Sequence, residues 1–176
     1  ANTLSCNSIY LRQIMRQYAE GKRDDLAYRL ARRNAHNADA ALSTTLANML
    51  MEPGHFRKEA DVGFRFLVLS HTLLSYLSAL GAHRDSTLPA EAREQLIDSA
   101  AATLADSLDE IASGLTGRQA VAIHSDAEEA LATALEQMPE DMDESLRTVQ
   151  TQLALIARHL GPLRTLAAHL IKGTPA

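Results

Sequence analysis

The sequence holds no tryptophan, one cysteine, three phenylalanines, eight glycines and five prolines in 176 residues. A lone cysteine, Cys6, excludes an intrachain disulfide framework and any cysteine-rich zinc site. The scarcity of aromatic residues argues against a strand-rich domain, because strands favour β-branched and aromatic side chains. Few glycines and prolines leave little punctuation, so the segments between them are long. What is abundant is alanine and leucine, 30 and 27 residues, about a third of the chain. These types cost least in a helix. The length suits one domain, and 46% hydrophobic residues suffice for a sizeable core. The expectation is an all-α, antiparallel bundle of about six helices, with residues 1–176 forming a single domain.

Charge is segregated along the chain. Residues 1–84 carry 11 Lys/Arg against 7 Asp/Glu, residues 85–145 carry 2 against 15, and residues 146–176 carry 4 against none. A net charge of −5 speaks against general nucleic-acid binding, which needs an uncompensated basic face. The start, Ala-Asn-Thr-Leu-Ser, has neither an initiator Met nor a secretory signal pattern, and reads as a piece excised from a longer protein.

Six helical segments follow from the punctuation. The first spans about Leu4 to Glu20, with Ile9, Leu11, Ile14, Met15 and Tyr18 as its apolar set. Asp24 and Asp25 open the second, which carries Leu26, Leu30, Ala38, Leu42, Leu46, Met49 and Leu50 before Pro53-Gly54. The third, about Phe56 to Leu80, is the most apolar. Arg65, His71 and four Ser/Thr interrupt it, so a buried central helix is favoured over a membrane span. Asp85-Ser86-Thr87-Leu88-Pro89 starts the fourth. Its stripe is Leu96, Ile97, Ala100, Leu104, Leu108, Ile111 and Ala112. Residues 113–117 read as a loop, and Arg118–Ile123 as a short helix or an extension of the next. Ser125 and Glu128 fit a capping box for the fifth helix, and Asp141–Glu144 a looser start for the sixth. In that last helix the apolar phase runs through Gly161-Pro162, which predicts a kink rather than a stop.

No phosphate-binding glycine loop, nucleophile elbow or His-Glu-x-x-His pattern is present. The single Glu-x-x-His match, Glu52 to His55, straddles a helix break, which disfavours a metal-carboxylate bundle. No cofactor is expected, and no enzyme motif stands out. The densest polar cluster is Arg32-Arg33-Asn34-Ala35-His36-Asn37-Ala38-Asp39. Arg29, Arg32, Arg33 and His36 form a basic band that could hold an acidic ligand or an adjoining domain. The plainer reading pairs Arg29 and Arg33 with the acidic middle helices. His36 and Asp39 could share a hydrogen bond or a metal. Ala35, Ala38, Ala40 and Ala41 suggest close approach of another helix. His71 reads as a hydrogen-bonded core histidine, Cys6 as a small apolar residue, and the acidic run 140–144 as solvated charge.

The stretch Tyr28 to Ser43, with Asn48-Met49 and Glu52-Pro53, resembles the bacterial fusaric-acid-resistance-like (FUSC) inner-membrane proteins, in particular their YccS/YhfK branch. Arg65-Phe66 and Ser75 to Arg84 are similar to that branch as well. The specific likeness covers residues 26–84; beyond 85 only helical character agrees. It implies a C-terminal cytosolic domain of an aromatic-acid exporter-like protein, with no catalytic motif to carry over. It also implies the rest of that membrane protein as partner, a homo-oligomer, and contact of the basic band with inner-leaflet anionic lipids. The alternative of another class is a stand-alone helical bundle that binds a small molecule, which an apolar pocket beside His71 or His36 would favour.

Overall fold

The computed structural model describes residues 1–21, 25–51, 57–84 and 88–173. Among them all regular structure is helical. The elements are α1 (Asn2–Glu20), α2 (Leu26–Met51), α3 (Arg57–Ala82), α4 (Ala90–Ala92), a π-turn (Arg93–Ile97), α5 (Asp98–Gly117), α6 (Asp126–Glu136) and α7 (Glu144–Gly173). The helical run 90–117 is continuous through the π-turn, which gives the expected bundle of about six rods.

Three antiparallel pairings organise the bundle. Ser8 Oγ of α1 donates to the Ala105 carbonyl at 3.1 Å, while an Arg93 guanidinium N–H reaches the Tyr18 carbonyl at 3.4 Å. α1 and α5 therefore run in opposite directions. Glu128 meets Arg164, and the Leu135 carbonyl accepts from Gln150 Nε2 at 2.8 Å, so α6 and α7 form a hairpin. His159 of α7 lies beside Leu69 and Tyr76 of α3, whereas later α7 residues lie beside Val62–Phe66.

The core follows the apolar stripes. Leu4, Leu11 and Ile14 of α1, Leu73, Leu77 and Leu80 of α3, Leu104, Leu108 and Ile111 of α5, and Leu153, Ile156 and Leu163 of α7 are fully buried. Each such side chain contributes roughly 1.5–3 kcal/mol relative to exposure. α2 lies at the edge, packed on α1 and α3, and approaches through small residues. Ala31, Ala35 and Ala38 are buried, whereas Ala40, Ala41, Leu26 and Leu50 are exposed. Ile9, expected inside, is 53% exposed.

Three caps fall where the sequence places them, whereas Asp24 and residues 85–87 of the expected start at Asp85–Pro89 lie outside the described residues. Asp25 Oδ1 accepts from the Ala27 N–H at 2.8 Å, Ser125 Oγ from Glu128 N–H at 3.4 Å, and Asp143 Oδ1 from Leu146 N–H at 3.0 Å. The reciprocal half of the capping box is absent because the Glu128 carboxylate turns to Arg164 instead. α7 continues through Pro162 without ending, since its buried stripe resumes at Leu163 and Ala167.

Two expectations fail around residue 115. Residues 113–117 are helical, and the helix ends at Arg118, whose φ of 50° is left-handed. Residues 119–122 are not helical, and Val121 folds back so closely over Gly114 that a Cβ there would clash with it. Gly114 thus serves packing inside a helix rather than a loop. The third correction concerns α3, which buries one face only. Phe64 and Val68 are 53% and 48% exposed. The segment Asp61–Ala82 is long and apolar enough to cross a membrane by length and composition, with 33% of its most apolar window buried in the bundle.

Candidate functional site

Arg29, Arg32, Arg33 and His36 recur at helical spacing on α2, and all four lie on its exposed side while Tyr28, Ala31 and Ala35 face inward. The structure brings the predicted band together as one outward stripe. Arg32, Arg33 and His36 form no hydrogen bond or ion pair among the described residues; Arg29 has an interaction partner of its own. The acidic middle of the chain takes its cations elsewhere. Arg12 of α1 binds Asp106 and Asp109 at 2.8 and 2.9 Å, and Arg158 of α7 binds Glu136 at 2.6 Å. Arg32 still acts at a distance: its charge lowers the pKa of the Tyr10 phenol, although burial dominates and pushes that pKa well up.

The expected His36–Asp39 pair does not form. Asp39 is buried and turns toward α3, where its Oδ2 lies 2.9 Å from Nδ1 of His71. His71 is correspondingly no core histidine, since 68% of its side chain is exposed. The residue it pairs with is distant in sequence, so spacing within α3 could not reveal it. The enclosed histidine is His159. Its Nε2–H donates to the Leu69 carbonyl at 2.7 Å, Tyr76 meets its ring edge-on, and burial lowers its pKa. Among the described residues no three His, Cys, Asp or Glu side chains group in a way that could hold a metal.

Much of the stretch that carries the family resemblance is packing. The hydroxyls of Tyr10 and Tyr28 lie 3.5 Å apart against Gly81, where a Cβ would sit 2.9 and 3.0 Å from the Tyr28 and Tyr10 oxygens. Tyr18 donates to the Leu80 carbonyl at 2.8 Å. Arg84 stacks 4.4 Å above the Tyr28 ring and donates to the Gly81 carbonyl at 2.7 Å. Arg32, Arg33 and His36 belong to the exposed side of that stretch, outside this packing.

Sequence reasoning missed an apolar cleft. It occupies about 790 Å³ between α2, α3 and α7, lined by Leu42, Leu46, Phe66, Leu166 and Leu170, with Arg65, His169 and the α-amino group of Ala1 as its ionisable groups among the described residues. Gly63 lets α2 close on α3 there, because a Cβ would stand 2.6 Å from a Leu46 methyl. Neither His71 nor His36 lines it. Arg65 reads in the sequence as an interruption of an apolar run and as part of the family resemblance, and the cleft depends on several helices meeting, which no local pattern encodes.

The described residues form a helical bundle, and one of the chain's sequence relatives is named as an inner membrane protein. The chain is 49% identical over 79 residues to the inner membrane protein YccS of Escherichia coli, and 54% identical over 82 residues to an uncharacterized protein of Haemophilus influenzae. An uncharacterized protein of Neisseria gonorrhoeae is 38% identical over 78 residues. These matches cover 45%, 47% and 43% of this chain. They span only 11% of the length of each of the first two relatives and 19% of the third. The resemblance to the YccS branch read from residues 26–84 is thereby borne out. No family model and no solved structure matches the chain.

Proposed function

We propose that this chain is a non-catalytic cytosolic domain of a transporter-like inner-membrane protein, of the aromatic-acid exporter type, serving assembly or regulation. The observation that carries the reading is the stripe of Arg32, Arg33 and His36, exposed on α2 and without an ion pair among the described residues, in a chain similar to an inner membrane protein. Elsewhere Arg12, Arg158 and Arg164 are engaged with carboxylates. A free cationic face beside such compensation suits a partner outside the bundle, either the remainder of the longer polypeptide or a second copy, with inner-leaflet anionic lipid as a further contact. On this reading α3 stays packed against α1, α2 and α7, with Arg65 and His71 on its water-facing side.

The test uses the full-length protein in its membrane. A fluorescent protein fused to its C-terminus is expected to fluoresce on the cytoplasmic side. The purified 176-residue chain, added to inside-out vesicles holding the longer protein with this region deleted, is expected to bind in a salt-sensitive way. No binding at low salt, or binding that Arg32→Glu/Arg33→Glu leaves unchanged, contradicts the proposal. A second reading, a small-molecule-binding bundle, draws on the apolar cleft, although that cleft lies away from His71 and His36.

A further inference from the structure

The cleft does not end at α3. A second groove of about 520 Å³ continues on the outer side, between Phe64, Val68, Leu69 and Pro162. The two share Arg65, Thr165 and Leu166, so they form one trough with Arg65 at its middle. Each groove taken singly is in the range of pockets that enclose an organic ligand, about 300–1,000 Å³, and together they suit an elongated one. We propose that this trough binds a long-chain acyl anion, its tail laid along Leu46, Phe66 and Leu166 and its carboxylate against Arg65.

Three observations carry this. The lining is apolar, and its hydroxyls are already spent: Thr45 Oγ1 donates to the Ala41 carbonyl at 2.9 Å and Thr165 Oγ1 to the Gly161 carbonyl at 3.1 Å. Among the described residues the charged or titratable groups of the lining are Arg65, His169 and the α-amino group of Ala1, and no carboxylate lines either groove. Finally, among the described residues Arg65 holds Asp61 of its own helix alone, at 3.2 Å with both side chains more than half exposed. Such a surface pair is weak, so exchanging it for a ligand carboxylate costs little. A neutral ligand would leave the cation unused, and a cationic one would oppose it. The proposal deepens the ligand-binding reading and is independent of the α2 face, so Arg32 and Arg33 variants do not test it.

The probe is cis-parinaric acid, an 18-carbon fluorescent fatty acid, titrated below its micellar range into the whole chain and displaced by palmitate. Saturable one-to-one binding is expected, with affinity rising about three- to fourfold per added methylene across a saturated fatty-acid series. Arg65→Glu is expected to weaken it at least tenfold, Arg65→Lys to restore part of the loss, and Thr165→Trp to block it. Both positions lie at the surface, and unchanged melting verifies the fold. Vesicles of phosphatidylglycerol and phosphatidylethanolamine distinguish the source. If the anion is a bilayer lipid, the chain co-sediments and Thr165→Trp releases it; if it is a free acid, the monomeric probe binds and vesicles do not. Absence of saturable binding in both arms overturns the proposal, as does binding that Arg65→Glu and Thr165→Trp leave untouched.

Discussion

The α6–α7 hairpin and the outer face of α2 handle charge in opposite ways. In the hairpin, Arg164 is 3% exposed and holds Glu128 at 2.6 Å and Glu110 at 2.8 Å, so three ionised groups satisfy one another where α5, α6 and α7 meet. Those bonds lower the Glu110 pKa and outweigh the burial that works against the charge on Arg164, raising its pKa. On α2 the arginines stand in water and no carboxylate answers Arg32 or Arg33 among the described residues. The lesson is that the basic start and acidic middle of the chain do not simply neutralise each other. Compensation comes from α1 and α7, and the surplus on α2 faces outward.

The sharpest way to break the comparison is Arg164→Met, which leaves Glu128 buried without its cation. A loss of about 3–5 kcal/mol is expected in urea unfolding, with Glu128→Gln/Arg164→Met recovering part of it. Gly81→Ala comes next, because the added methyl must displace two phenols; roughly 1–3 kcal/mol should be lost, again by denaturant titration. Arg12→Ala, which removes an exposed pairing to Asp106 and Asp109, is expected to cost about 1 kcal/mol or less, and added salt should erase most of the difference.

The pH dependence sharpens the same contrast. His159 has a folded-state pKa below its ordinary value of 6.5 because burial disfavours the charged ring. The unfolded chain therefore binds more protons in the window below 6.5, and stability falls as pH drops through it. The paired Glu110 adds a second loss below its ordinary 4.5. Melting temperature followed from pH 8 to 4 should show the first step, and His159→Gln should remove it while leaving the acid step.

Most of the helical architecture was legible because buried stripes recur at three and four residues. The cap residues Asp25, Ser125 and Asp143 carry their own chemistry. Gly114 misled because a helical glycine is unfavourable by about 1 kcal/mol, a cost that the packing of Val121 across it offsets. His71 misled because its partner Asp39 sits on another helix, and Glu128 because a residue that suits a cap was claimed by Arg164. The basic band was legible as a cluster at helical spacing. Its exposure was not, since that depends on α2 lying at the edge of the bundle. The cleft was not legible at all, being made of residues from several helices that are unremarkable one by one.

The most direct test of the central claim is Arg32→Glu/Arg33→Glu, read twice. In the isolated chain the melting transition should stay within about 0.5 kcal/mol of the parent, because among the described residues these side chains hold no hydrogen bond or ion pair. In the full-length membrane protein, native-gel migration after mild solubilisation should shift as the assembly weakens. A melting loss comparable to that of Arg12→Ala, or unchanged assembly of the full-length protein, would contradict a docking role for this face.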